Sequence, residues 1–261
     1  TADDKNVEVD GRKVTITGAG TYVLSGTLSD GQIVVDSDDK DSVRLVLNGA
    51  EITCSNSSAI WVKDGETIIT LADGTENTLT DGSEYTTDSE DDEPKAAVYA
   101  KDDLTFNGSG SLTVNGNYKN GIQCKDALKF VSGTYTITAA NNGLVGKDSV
   151  SVKDGTYTIT SGGDGIKSTN TDETDQGYVI IDGGTFTITA EGDGIQAETL
   201  LRVNEGDFTI TTGGGSANAD TAASDSNSFA GSTDTNTPPE KKDPPQGNGG
   251  QPGEPPQNNT D

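Results

Sequence analysis

Four turns of this chain place an acid or its amide directly before a glycine: Asn120, Asn142, Asp164 and Asp193. They recur at intervals of 22, 22 and 29 residues. In a stacked β repeat, equivalent turn residues lie about one strand spacing, roughly 4.8 Å, apart. Stacked asparagines bond to one another, whereas stacked carboxylates repel. Asp164 and Asp193 therefore require a protonated member, backbone donors, or a cation between them. The donors are oxygens, and the chain has no His, so Ca²⁺ is the fitting ion. Asn142 stands in the same column. The glycine after each turn residue permits close approach of backbone carbonyls.

A second acidic cluster follows. Lys101-Asp102, Lys125-Asp126 and Lys147-Asp148 fall in register. An insert carrying Asp172, Glu173 and Asp175 sprouts at the same level of the next repeat, and Glu198 falls at the matching place beyond it. Five or six carboxylates are thus expected on one edge. Two readings stand. In one, a Lys/Asp ladder neutralises itself and is worth little in water. In the other, the insert organises a second Ca²⁺ site.

A third feature is a line of outward positions: Trp61, Tyr99, Gln123, Val145, Lys167 and Gln196. Trp61 is the sole tryptophan, and Tyr99 is expected beside it. Aromatic rings stack on the C–H faces of pyranoses, while Gln123 and Lys167 suit hydroxyls or carboxylates. The alternative is that an acidic loop, residues 81–95, covers both rings.

Catalysis has little to stand on. Arg12, Arg44 and Arg202 are the only arginines, and no Gly-x-Ser-x-Gly or phosphate-cradling loop occurs. Gly163-Asp-Gly is like a calcium-binding nonapeptide repeat, but the 22-residue period excludes that class. With 43 acids in the chain, a hydrolytic carboxylate pair can be drawn almost anywhere and so carries no information. Lys167 or Arg202 beside a calcium ion is the lyase arrangement available.

These side chains need a scaffold that repeats as they do. Three strand patterns recur. The first is Ala59-Ile-Trp-Val, Ala97-Val-Tyr-Ala, Gly121-Ile-Gln-Cys, Gly143-Leu-Val-Gly, Gly165-Ile-Lys-Ser and Gly194-Ile-Gln-Ala. The second is Leu104-Thr-Phe, Leu128-Lys-Phe, Val150-Ser-Val, Val179-Ile-Ile and Leu201-Arg-Val. The third is Leu112-Thr-Val, Tyr135-Thr-Ile, Tyr157-Thr-Ile, Phe186-Thr-Ile and Phe208-Thr-Ile. Alternation with period 2 sends Ile60, Val98, Ile122, Leu144, Ile166 and Ile195 inward. It also sends Tyr135, Tyr157, Phe186 and Phe208 inward as an aromatic stack, with a threonine ladder outside. A repeat of this length with three β segments predicts an all-β fold, a single-stranded right-handed parallel β-helix with three strands per coil.

The β-helix is expected over residues 1–212, with four alternating segments before residue 58 as its start. From Gly213 the chain holds seven of its eight prolines and one large apolar residue, Phe229. Residues 213–261 are therefore read as a low-complexity, disordered tail. Formal charge is 17 − 43 = −26, which argues against nucleic acid or an anionic membrane as partner. No apolar run is long enough to span a bilayer. No signal sequence precedes Thr1, which suggests a mature or trimmed, secreted chain. Cys54 and Cys124 are read as small buried residues.

Several of these motifs resemble a known family. They are Gly146-Lys-Asp-Ser-Val-Ser-Val-Lys-Asp-Gly-Thr-Tyr-Thr-Ile-Thr, Gly162-Gly-Asp-Gly-Ile-Lys-Ser, Glu191-Gly-Asp-Gly-Ile-Gln-Ala-Glu-Thr and Thr211-Thr-Gly-Gly-Gly-Ser-Ala-Asn-Ala. The stretch from Val14 to Ala219 is similar to the bacterial carbohydrate-binding β-helix family of plant-fibre-degrading anaerobes, which has a pectate-lyase-like fold. The resemblance implies a non-catalytic, extracellular or cell-surface protein with bound calcium. Its implied partners are plant cell-wall polysaccharides: acidic sugars such as polygalacturonate (pectin), and cellulose. Family members often carry Asp-Gly-Ile where this chain has Asn120-Gly-Ile and Asn142-Gly-Leu, leaving Asp164 and Asp193 as the better ligands. Charge supports the calcium link, because a protein at −26 repels a polyuronate and a bridging cation reverses the local sign. A polysaccharide lyase and a structural or adhesin-type solenoid are the alternatives.

Overall fold

The computed structural model describes residues 5–86 and 94–213. Their regular structure is entirely β, without a helix. The chain divides into Thr1–Ala219 and Asp220–Asp261, and all the described strands belong to the first unit. Of the expected tail, all but Gly213 lies outside the described residues, as do residues 87–93 of the acidic loop.

Two sheets carry the architecture, one of nine strands and one of fourteen. From Ile60 onward each strand pairs in parallel with the strand three places later in the chain. The registers match those expected. In the nine-stranded sheet Ile60, Val98, Ile122, Leu144, Ile166 and Ile195 stand opposite one another in turn. In the larger sheet Leu104, Leu128, Val150, Val179 and Leu201 form one file. Leu112, Tyr135, Tyr157, Phe186 and Phe208 form another. The long strand Val43–Thr53 joins these two arms, pairing with Thr67–Leu71 through its first half and Glu76–Thr80 through its second.

The start is less regular than its alternation suggests. Val7–Asp10 and Lys13–Ile16 form an antiparallel pair. Gly20–Leu28 pairs with Val43–Thr53 across a register shift between Leu24 and Gly26. Four alternating segments look alike in sequence, but their partners are set by turns outside the repeat.

The core is a single apolar column of inward residues. Tyr135, Tyr157, Phe186 and Phe208 stack with ring centroids 5.1, 4.7 and 4.8 Å apart. Phe106 and Phe130 form a second stack, 5.0 Å apart, and the rings of Phe130 and Tyr135 meet edge-on. Such ring pairs add about 0.5–1.5 kcal/mol each beyond simple burial. The stack dictates its turns. Gly155 has φ 134°, and a Cβ there would fall 2.8 Å from the Tyr157 hydroxyl. Cys54 and Cys124 are buried and free, as expected. Burial pushes the Cys124 thiol up to about 12.

Candidate functional site

The turn column that opens the nine-stranded sheet is a hydrogen-bond ladder. The Asn120 side-chain oxygen accepts the Asn142 N–H at 3.0 Å. Asn142 in turn accepts from Asp164 N–H at 2.8 Å, and Asp164 from Asp193 N–H at 2.8 Å. The second Asp164 oxygen accepts from Lys167 Nζ at 2.8 Å. Burial pushes the Asp164 carboxyl up, but Lys167 and the Asp193 N–H outweigh it and hold it below the usual carboxylate range. Of the three expected ways to relieve a carboxylate stack, donors within the protein are therefore the one present at Asp164. The glycine column follows from the same stacking: a Cβ on Gly143 would lie 2.5 Å from the Gly165 carbonyl oxygen. That oxygen accepts Leu144 N–H at 2.9 Å. The close carbonyls bond the next strand rather than standing open.

The opposite edge behaves differently. The backbone stacks as expected, with Lys125 N–H on Ala100 O, Lys147 N–H on Cys124 O and Asp148 N–H on Asp126 O. Some of its carboxylates are met: Asp102 accepts from Gly65 N–H at 2.7 Å, and Asp103 from Ala127 N–H at 3.1 Å and Lys129 Nζ at 2.6 Å. Asp126 is pushed up by burial, then by Asp148, Asp102 and Asp103, with Lys147 opposing. An acidic cleft of about 360 Å³ opens here, lined by Asp38, Asp39, Asp64, Asp102, Asp103 and Asp126 among others. Asp38, Asp39 and Asp103 lie outside the Lys-Asp repeat, whereas Lys63-Asp64 is an earlier member of it, in register with Lys101-Asp102, that the sequence reading passed over. The insert contributes through an amide: Asn170, 1 % exposed, donates to Asp148 at 2.7 Å. Asn170 also accepts the N–H groups of Asp172 and Glu173. Asp172, Glu173, Asp175 and Glu198 are exposed. Among the described residues no three Cys, Asp or Glu side chains come close enough together to hold a metal directly. The expected convergence of five or six carboxylates is thus reduced, because a buried amide occupies the place between insert and stack. The donor set of the cleft is nevertheless all oxygen, the chemistry of a hard cation.

The outward line keeps its register, with Trp61 beside Tyr99, Tyr99 beside Gln123, and Val145 beside Lys167. It is not an open platform. Tyr99 is 2 % exposed and Val145 4 %. Gln123 accepts from Asn120 Nδ2 at 2.8 Å, and Lys167 is held by Asp164. Trp61 is half-buried, with Lys63 Nζ 4.5 Å from its ring centroid and its indole N–H buried without a hydrogen-bond partner.

A second aromatic group was missed. Tyr85 and Tyr118 stack at 4.2 Å, and both are half-buried. Lys119 Nζ lies 4.9 Å over the Tyr118 ring. The Tyr85 hydroxyl donates to buried Asp81 at 2.6 Å and lies 3.0 Å from the Ala96 carbonyl, which places the pair at the start of the strand Ala96–Ala100. Burial pushes the Asp81 carboxyl up, against bonds from Tyr85 and the Asn117 N–H. The signal was available: these two tyrosines lie outside the inward positions that the repeat assigns to aromatics.

Both described ring–ammonium pairs, Trp61–Lys63 and Tyr118–Lys119, therefore belong to the nine-stranded sheet or the turn leading into it. Rings for C–H faces and ammonium groups for hydroxyls or carboxylates are the parts of a sugar site.

A protein of Acetivibrio thermocellus described as carbohydrate-binding domain-containing is 44% identical over 210 residues, spanning 80% of this chain and 73% of that protein. A solved structure, described as a polysaccharide lyase-like protein from C. thermocellum in a gadolinium derivative, aligns with a TM-score of 0.75 at 38% identity. It covers 79% of this chain and 94% of that one. The model of the carbohydrate-binding domain-containing protein family matches residues 10–237, and the chain belongs to that family.

Proposed function

We propose that this protein is a non-catalytic, extracellular or cell-surface polysaccharide-binding module of plant cell-wall glycans. Its strand order and registers support a right-handed, single-stranded parallel β-helix of the pectate-lyase type. The observation that carries the reading is the pairing of Trp61 with Lys63 and Tyr118 with Lys119 in a chain of net charge −26. Such pairs suit acidic sugars such as polygalacturonate, the ammonium receiving the carboxylate and the Trp61 ring the pyranose face. Cellulose is the neutral partner.

Calcium belongs to the reading at the acidic cleft. Asp102 and Asp126, which line it, would hold a Ca²⁺ that keeps much of its water shell, as hard cations tolerate. The ion would neutralise a like-charged edge and accept uronate oxygens. Asp164, already met by Lys167 and the Asp193 N–H, does not fit the role. Family membership supports binding rather than lysis, while the lyase-like relative keeps calcium-dependent lysis as the second reading.

Affinity electrophoresis through polygalacturonate tests the aromatic assignment. Trp61→Ala and Tyr118→Ala are each expected to weaken retardation about tenfold, close to 1.4 kcal/mol. Retardation unchanged in both variants would remove these rings from the site.

A further inference from the structure

A surface unlike the rest of the molecule lies on the outer face of the strands Thr134–Ala139, Thr156–Ser161, Thr185–Ala190 and Asp207–Thr212. These strands alternate strictly between buried and exposed residues until the last, whose inward side is uncovered. Every exposed outward position of the first three is threonine: Thr134, Thr136 and Thr138, then Thr156, Thr158 and Thr160, then Thr185, Thr187 and Thr189. Thr209 and Thr211 continue two of the three columns, and Asp207 ends the third. The registers place each threonine directly beside its equivalent. The result is a grid of hydroxyls and methyls spaced about 4.8 Å between strands and twice the rise per residue, roughly 6.7 Å, along them.

β-propensity alone does not account for it. The outward column of the other arm of the same sheet reads Arg44, Ile68, Thr105, Lys129, Ser151, Ile180 and Arg202. That mixture serves a strand equally well. With 23% of the chain charged, a three-by-three field without one charge stands out. Beside it, along the Gly133, Gly155 and Gly184 turns, run two adjoining clefts of about 580 and 420 Å³ that share Asp154 and Thr185. The second is lined by four acids, Asp154, Asp182, Glu205 and Asp207, against one lysine, Lys153, a net negative charge that repels a polyanion approaching from that side.

We infer that the threonine grid is a docking face for a neutral, extended, hydroxyl-rich polysaccharide of the β-glucan type. It is separate from the ring–ammonium pairs that suit acidic sugars. This inference rests on the polysaccharide-binding reading and assigns its neutral ligand to a place. An uncharged grid does not attract a polyuronate, and it meets an uncharged chain without desolvating an ion. Hydroxyls repeating at strand spacing meet a polymer whose own hydroxyls repeat at about one sugar length. Methyl groups between them supply apolar contact to the sugar faces.

The test is depletion by microcrystalline cellulose, run beside retardation by polygalacturonate with calcium. Thr136→Lys/Thr187→Lys puts two long, hydrated side chains on the grid two strands apart. The expected result is at least a tenfold loss of cellulose binding with polygalacturonate retardation unchanged. Equal cellulose binding by variant and wild type would overturn the inference and leave the wider reading intact. Wild-type protein that binds neither polymer would overturn both. Wild-type binding to polygalacturonate alone would overturn the inference only. If the double variant loses its cooperative melting transition, Thr158→Lys replaces it, with the same two outcomes.

Discussion

The two edges of the nine-stranded sheet are built from the same residue types and reach opposite electrostatic states. On one, each side-chain oxygen of Asn120, Asn142 and Asp164 receives the N–H of the turn residue in the next strand, and Lys167 takes the remaining Asp164 oxygen. On the other, Asp148 N–H bonds to the Asp126 carbonyl, and the carboxylates of Asp148, Asp102 and Asp103 lie close enough to Asp126 to repel it. Their mutual repulsion, added to burial, lifts Asp126 above its ordinary range. A stacked aspartate is thus held low where an N–H and a lysine both meet it, as at Asp164, and pushed up where burial and neighbouring carboxylates prevail, as at Asp126.

Breaking the closed edge should have the largest effect. Gly143→Ala drives a Cβ to 2.5 Å from both the Gly165 carbonyl oxygen and Ile159 Cγ2. Overpacking of this kind costs about 1–3 kcal/mol or more, and chemical denaturation should show a loss at the upper end. Asn142→Ala comes next. It strands the Asp164 N–H, a loss of about 1–3 kcal/mol, visible as a lower urea midpoint with unchanged slope. On the open edge the sign reverses. Asp126→Asn removes a repelling charge and should raise the melting temperature at neutral pH. It should also reduce any stabilisation by added calcium.

The pH dependence separates the edges further. Asp164 is depressed in the fold, so its contribution is present above the unfolded carboxylate range and is lost as pH falls through its lowered value. Asp126 is raised, so its penalty appears as pH rises through the unfolded value and is complete above the folded one. Melting of Asp126→Asn should therefore converge on wild type as pH falls toward 4. The deficit of Asp164→Asn should persist there and close only at lower pH. Parallel curves for both variants across this range would erase the distinction.

Register was readable because each repeat marks itself with Gly-Ile, an inward aromatic and a threonine. Ile60 through Ile195 and Tyr135 through Phe208 took their places from that pattern alone. The fate of Asp164 was not readable, because it depends on the direction of an N–H in the next strand and on a lysine three residues away. Outward alternation identified the position of Tyr99 but not its burial, since period 2 gives direction and not what lies above. Tyr85 and Tyr118 sit off the repeat, so no periodic neighbour marked their stacking. Asn170 was passed over inside an insert read for its acids, yet its amide is what meets Asp148.

The most direct test of the account is affinity electrophoresis of the wild-type protein through polygalacturonate, with calcium and then with chelator. Absorbance of unsaturated uronide is followed in the same samples. Retardation in calcium that chelator reduces, with no rise in absorbance, is the expected result. Free migration under both conditions, or accumulation of unsaturated product, would contradict it.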